Sequence, residues 1–255
     1  MATEYGGSGD PKRSMELLWG TREPARRGPR PRLTVDQIVR TAIRIADAEG
    51  LAALSMRRVG ERLGVTAMSL YTYVPSKAEL VDVMLDTALG ELEPPEAGEG
   101  WRARLERVAR QNWALFQRHP WMLQVSMSRP VLGPNLVARY DHELRAVEGV
   151  GLSDVDMDLV ITLLSNYVRG AVRTALEAAE AERRTGMSEE QWWATYAPLL
   201  ERVFDARAHP VAARVGAAAG EEYQGAIAPD RAFEFGLQRV LDGIGAYIDF
   251  RRSSP

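Results

Sequence analysis

The chain has 255 residues, 45% hydrophobic and 26% charged, with no cysteine, which is the balance of a soluble globular protein. It excludes wholesale disorder, a collagen-like repeat, a disulfide scaffold, a thiolate metal site and a cysteine nucleophile. The net charge of −3 hides a gradient: residues 12–77 carry a net of +7 and residues 78–255 a net of −8, which suggests a polyanion-binding module joined to an acidic body.

Residues 1–33 hold little helical period and are rich in Gly, Pro and Arg. We read them as a flexible basic arm, with residues 1–13 a disordered leader. Met15, Leu17, Leu18 and Trp19 form a short apolar patch able to dock on a surface. Arg26, Arg27, Arg30 and Arg32 sit among Pro24, Pro29 and Pro31; phosphate or minor-groove contact and a merely solubilising role fit this cluster equally well.

Helical period begins at Thr34. Thr34 and Gln37 have capping-box spacing, and Val35, Ile38, Val39, Ala42, Ile45 and Ala46 make one apolar stripe that Gly50 ends. Ser55 opens a short helix with Met56, Val59 and Leu63 inside. Gly64-Val65 turns the chain, Thr66 caps a third helix, and Pro75 stops it. Ser76 and Glu79 have the spacing of a second capping box, ahead of a longer helix through Leu92. Pro94-Pro95 and the stretch to Gly100 read as a linker. Further helices are predicted near 101–118, 120–127, 132–149, 153–184, 189–206 and 230–250, with 207–229 a loose connection. No β-alternation of useful length and no internal repeat occurs. The fold class is therefore all-α.

The stretch Leu54 to Leu80 carries the function. Two short amphipathic helices around a Gly-Val turn have the form of a helix-turn-helix, whose second helix enters the DNA major groove. Val59, Leu63, Val65, Leu70 and Tyr73 face inward. Thr66, Ala67, Met68, Ser69, Tyr71 and Thr72 face outward, small or hydrogen-bonding groups suited to base edges and phosphates. Arg57 and Arg58 precede them, and Lys77 stands at a helix start where the dipole already favours phosphate.

The run from Thr34 to Leu92 resembles the DNA-binding domain of TetR-type bacterial transcriptional regulators. The carrying residues are Leu54-Ser55-Met56-Arg57-Arg58-Val59, Leu63-Gly64-Val65, Ser69-Leu70-Tyr71, Tyr73-Val74 and Ser76-Lys77-Ala78-Glu79-Leu80. Trp101, the Arg129-Pro130 loop and Phe233-Glu234-Phe235-Gly236-Leu237 extend the likeness, more diffusely, toward the tetracycline-repressor subclass. The resemblance implies phosphate contacts by Thr66, Tyr71 and Lys77, and base-facing positions at Arg57, Ala67, Met68 and Ser69. Ala67 and Met68 cannot make bidentate purine contacts, so readout through them is apolar. The resemblance further implies a homodimer joined through the helices near 153–184 and 230–250, a double-stranded operator, and a small-molecule pocket in residues 93–255.

Candidates for that pocket are Trp113, Phe116, Trp121, Asn166, Tyr167 and Trp193, although each aromatic taken singly is more often core. Trp192 and Trp193 point about 100° apart on a helix, so both cannot easily enter one core. Gly236 and Gly243 share a face of the last helix and allow close approach of another, from a partner or from this chain. No cofactor or metal is expected. His119, His142 and His209 lack ligand spacing, and His119 and His209, each before a proline, read as surface or loop residues. The tetracycline repressor holds its drug-bound metal through a His whose nearest position here is Ser126, which speaks against magnesium–tetracycline as ligand. No catalytic motif occurs, so a helical enzyme or carrier with an incidental helix-turn-helix is the weaker alternative. With no apolar run of about 18 residues and no basic-then-apolar leader, a cytoplasmic, non-membrane protein is expected.

Overall fold

The computed structural model describes residues 4–7, 9–21, 33–92, 100–126 and 129–253. The arginine cluster at 26–32 and most of the expected linker after Leu92 lie outside them. Among the described residues the chain forms eleven α-helices and one pair of two-residue strands. The helices are α1 (Pro11–Leu18), α2 (Val35–Glu49), α3 (Met56–Leu63), α4 (Ala67–Tyr71), α5 (Lys77–Leu89), α6 (Trp101–Arg118), α7 (Pro134–Arg145), α8 (Asp154–Thr185), α9 (Glu189–Val203), α10 (Pro210–Tyr223) and α11 (Pro229–Ser253).

Local signals set most boundaries. Thr34 and Gln37 close the expected capping box on α2, at 3.2 and 2.9 Å, and Gly50 ends it at φ 81°. Helices α2 to α4 bury Ile38, Val39, Ala42, Val59 and Leu70 around one centre. That core runs on through α5 into a second layer, where α8 packs against α6 and α11.

Four expectations are corrected. Residues 4–7 and 9–13 are not a disordered leader. Residues 4–5 (β1) pair in parallel with Val125–Ser126 (β2), and α1 packs on α5. The apolar patch at 15–19 does dock: Leu17 and Leu18 pack against the core, and Trp19 Nε1 donates to the Leu132 carbonyl at 2.9 Å. Residues 120–124 form a 3-10 turn that passes into β2, because the backbone at Val125–Ser126 is taken up by pairing with residues 4–5 and cannot continue a helix. The segment expected to be a loose connection at 207–229 contains α10, with Pro210 at its first turn. His119 is 3% exposed rather than a surface residue.

Helix α5 is buried on nearly every side and carries three buried carboxylates, Glu79, Asp82 and Asp86. Asp82 accepts from the Gly7 N–H at 2.8 Å and the Ser14 hydroxyl at 3.3 Å. Glu79, expected to close a capping box, instead accepts from the Asp10 N–H at 3.1 Å as well as from the Ser76 hydroxyl. Asp86 accepts from the Leu136 N–H at 2.9 Å and the Asn135 amide at 3.0 Å, and so caps α7, whose own N-cap is Gly133. These acids tie the connecting helix to the N-terminal segment and to the wall of the cavity described below.

Candidate nucleic-acid interface and ligand cavity

The turn between α3 and α4 depends on two glycines. Gly64 takes the left-handed conformation, φ 69°. Gly60 lies where the chain folds back on α3: a Cβ there would stand 2.7 Å from the Val65 carbonyl oxygen. Its signal in the sequence, a glycine inside an eight-residue helix, is easily passed over.

Thr66 caps α4 by accepting from the Ser69 N–H at 3.3 Å. Leu70 is fully buried, and this fixes the rotation of the helix. Met68 is then 76% and Tyr71 43% exposed, with Thr66, Ser69 and Thr72 exposed beside them and Ala67 half-buried. The Thr66 and Ser69 hydroxyls lie 2.9 Å apart, and the Thr72 hydroxyl donates to the Ser69 carbonyl. With its proton engaged there, the Thr72 hydroxyl is better placed to accept a hydrogen bond than to donate one.

Arg57 extends into solvent with Glu61 3.5 Å away, an exposed pair of little energetic weight. Arg58 and Arg62 instead converge on Glu49 and bind α3 to the end of α2. Lys77 is the first residue of α5.

The six expected pocket residues separate. Phe116 and Asn166 line a cavity of about 720 Å³ between α6, α7, α8 and the loop at 130–132. Trp113 stacks on Phe233, 4.1 Å between centroids, and packs α6 on α11. Trp121 is core, its Nε1 donating to Asp47 at 2.8 Å. Tyr167 donates to the Phe233 carbonyl at 2.6 Å. Trp193 lies on Gly220 of α10, while Trp192 stacks on Tyr196 at 4.6 Å and is 38% exposed. Aromatic character alone could not separate cavity from core.

The remaining cavity wall is mixed. Leu132, Leu136, Val137 and Ile161 are apolar, and Thr162, Ser165, Asn166 and Arg169 form a polar strip on α8. Arg169 lies over the Phe116 ring at 5.4 Å, and burial, reinforced by Arg173 and Arg139, pushes its guanidinium pKa down. Arg139 pairs with Glu143 at 2.7 Å, both nearly buried, and Tyr140 donates to Asp158 at 2.7 Å.

A separate apolar strip stands open on α8 and α11. Val155, Leu159, Leu163, Phe235 and Phe250 are each more than half exposed. Between the two helices runs a groove of about 310 Å³ past Gly243, where a Cβ would meet nothing within 4 Å. At Gly236 a Cβ would collide with the Tyr167 ring, so this glycine serves packing within the chain. Among the described residues no group of His, Asp and Glu is placed to hold a metal, and no helix is long and apolar enough to cross a membrane.

Comparison with known proteins agrees with this architecture. Residues 38–84 match the family model for bacterial regulatory proteins of the tetR family, and residues 94–248 the tetracyclin repressor-like C-terminal domain. The chain is 45% identical over 254 residues to the HTH-type transcriptional repressor DrrR1 of Streptomyces coeruleorubidus, spanning 98% of this chain and 92% of that one. It is 28% identical over 218 residues to the Escherichia coli tetracycline repressor protein class A from transposon 1721, spanning 84% and 91%. The crystal structure of Streptomyces coelicolor ActR in complex with actinorhodin superposes with a TM-score of 0.67 at 30% identity, covering 85% of this chain and 98% of that chain.

Proposed function

Because this chain belongs to the TetR family of bacterial regulatory proteins, we propose that its exposed α4 face reads an operator and that the cavity beside α8 holds the molecule that releases it. The protein is a DNA-binding transcriptional repressor that works as a homodimer under small-molecule control. Residues 34–92 form the DNA-reading unit and its connector, and residues 93–255 the ligand-binding and dimer half.

The observation that carries the reading is the division of α4. Leu70 is fully buried, while Met68, Ser69, Tyr71 and Thr72 are presented outward. Thr66, Tyr71 and Lys77 bind phosphates; Arg57, Ala67, Met68 and Ser69 face bases, and Thr72 accepts. The open apolar strip on α8 and α11 supports a two-fold dimer through these helices, which sets two recognition helices about 34–36 Å apart. The actinorhodin complex of ActR supports an organic ligand in the α6–α8 cavity, whose size suits one. A regulator needs no catalytic group, and we read the chain as non-enzymatic and cytoplasmic.

Helix α5 transmits the signal. It begins at the DNA-reading unit and is tied by Asp86 to α7, a wall of the cavity. A ligand that prefers another tilt of α5 changes the spacing of the recognition helices. Its effect is limited by its differential affinity for the two states, typically about 1–3 kcal/mol. Selection of bound sites from random DNA tests the reading. The expected product is a two-fold symmetric site with steep salt dependence; recovery of no enriched sequence would overturn it.

A further inference from the structure

The α8 wall of the large cavity is polarised along its length. Asp158 stands toward the start of the helix and accepts from the Tyr140 hydroxyl at 2.7 Å. Arg169 stands about 16 Å further along the axis by the helical rise, with Thr162, Ser165 and Asn166 between the two charges.

Cationic groups gather at the Arg169 end. Arg139, from α7, lines the same cavity, and Arg173 lies one turn beyond Arg169, where it donates to the Leu123 carbonyl at 3.2 Å. Burial first, and then the charges of Arg173 and Arg139, push the Arg169 pKa down. The carboxylate at this end, Glu143, is already engaged by Arg139 at 2.7 Å and by the Asn112 amide at 3.2 Å. Three guanidiniums against one carboxylate leave an excess of positive charge in a partly desolvated space, which is costly until an anion joins it.

Arg169 is also the group that the cavity offers there. Phe116 is 2% exposed, whereas Arg169, its guanidinium carbon 5.4 Å from the ring centroid, is half-buried. The flat cation therefore covers the ring and forms the cavity surface. A guanidinium carries five N–H donors in a rigid planar fork, so it can receive a carboxylate in addition to its contacts within the chain. Around it the wall is apolar, and the cavity volume of about 720 Å³ holds a fused ring system.

We propose that the cavity takes an aromatic acid, whose anionic group is held by Arg169 while its rings lie on Leu132, Leu136, Val137 and Ile161. The assignment rests on the ligand-switch reading above and deepens it by naming the chemical class of the ligand. Asp158 repels a second anionic group, so the charge pattern orients the molecule, acid toward Arg169 and neutral end toward Tyr140. Arg169 is then a specificity-determining residue: a neutral analogue of the same shape leaves the excess charge uncompensated.

The test uses three probes of similar shape, 2-naphthoate, 2-naphthamide and 2-naphthylmethylammonium. Each is titrated into the full-length protein at neutral pH and followed by naphthyl fluorescence. The expected result is saturable binding of the naphthoate at least tenfold tighter than the amide, with the ammonium weakest. Arg169→Gln keeps a donor and removes the charge, and should bring acid and amide to about equal affinity; Arg169→Lys should retain part of the preference. Ser165→Phe puts a ring into the cavity and leaves the arginines in place, and should weaken acid and amide alike by at least tenfold. Should Arg169→Gln fail to fold, Arg173→Gln, outside the cavity lining, is expected to narrow the preference without abolishing it. Equal binding of acid and amide in the unaltered protein, tightest binding of the ammonium, a preference untouched by these arginine variants, binding indifferent to Ser165→Phe, or no saturable binding of any probe would overturn the proposal. Operator release is measured separately. Preferred binding of the acid without release leaves the acid site standing and counts against the switch; equal release by acid and amide supports the switch and overturns the acid site.

Discussion

His119 and Asp47 meet across the boundary between the DNA-reading helices and the cavity half, with imidazole Nδ1 2.7 Å from carboxylate Oδ1. The same carboxylate oxygen accepts from Trp121 Nε1 at 2.8 Å, and the far ring nitrogen of His119 lies 3.2 Å from Glu91 just past α5. One buried side chain therefore joins the end of α2, the end of α5 and the end of α6. Asp47→Ala leaves a buried ring nitrogen and an indole N–H without their acceptor. The expected loss is about 1–3 kcal/mol in urea denaturation, with weaker operator binding because α2 is freed. An unchanged midpoint would show that the junction carries no load.

On the DNA side, Tyr71→Phe and Lys77→Ala are expected to weaken operator binding and to leave thermal stability within about 0.5 kcal/mol. Lys77→Ala should also reduce the slope of log affinity against log salt by about one phosphate's worth. Met68→Ala, at a side chain reaching into solvent, should change base preference more than nonspecific affinity. Mobility shifts at several salt concentrations measure all three, and an unchanged salt slope for Lys77→Ala removes that contact.

The two glycines of α11 separate dimer from monomer. Gly243→Leu meets open space within the chain, so secondary structure should persist while overpacking at the partner costs roughly 1–3 kcal/mol of association. Light scattering should then report monomer. Gly236→Ala drives a methyl into Tyr167 of the same chain and should lower thermal stability at unchanged oligomeric state. The opposite pattern would place the interface elsewhere.

Asp82 gives a pH signature. Burial holds its carboxyl above the ordinary 3.8, despite the Gly7 and Ser14 hydrogen bonds. The folded chain therefore binds this proton more tightly than the unfolded one, and its contribution to stability is lost as pH rises from 3.8 through the raised folded value. Asp82→Asn keeps an acceptor for Gly7 and removes the buried charge. It should stabilise the protein at neutral pH relative to the unaltered chain, and the advantage should shrink as pH falls toward 3.8. Asp82→Leu leaves both donors without an acceptor and should cost about 2–3 kcal/mol. Urea melts between pH 3.5 and 7.5 distinguish these outcomes.

The features legible in the sequence are those whose causes are local. A capping box needs residues three apart, so Thr34 with Gln37 announced the start of α2. An amphipathic period needs only one helix, so the rotation that buries Leu70 and presents Met68 was readable from spacing. Gly64 marked its turn because few other residues accept a positive φ there.

Tertiary structure decided whatever depends on partners far along the chain. Asp82 reads as a polar interruption of α5 until Gly7 and Ser14 arrive from some 70 residues away to cover it. His119 reads as a loop residue until Asp47 and Glu91 close around it. Phe116 and Trp113 are both large aromatics on one helix, yet only the neighbours supplied by α8 and α11 assign the first to a cavity and the second to the core. Helical bonds and caps close within a few residues and are written in the sequence as spacing. Burial of charge and the shape of a cavity arise between distant segments, and the local sequence has no pattern that records them.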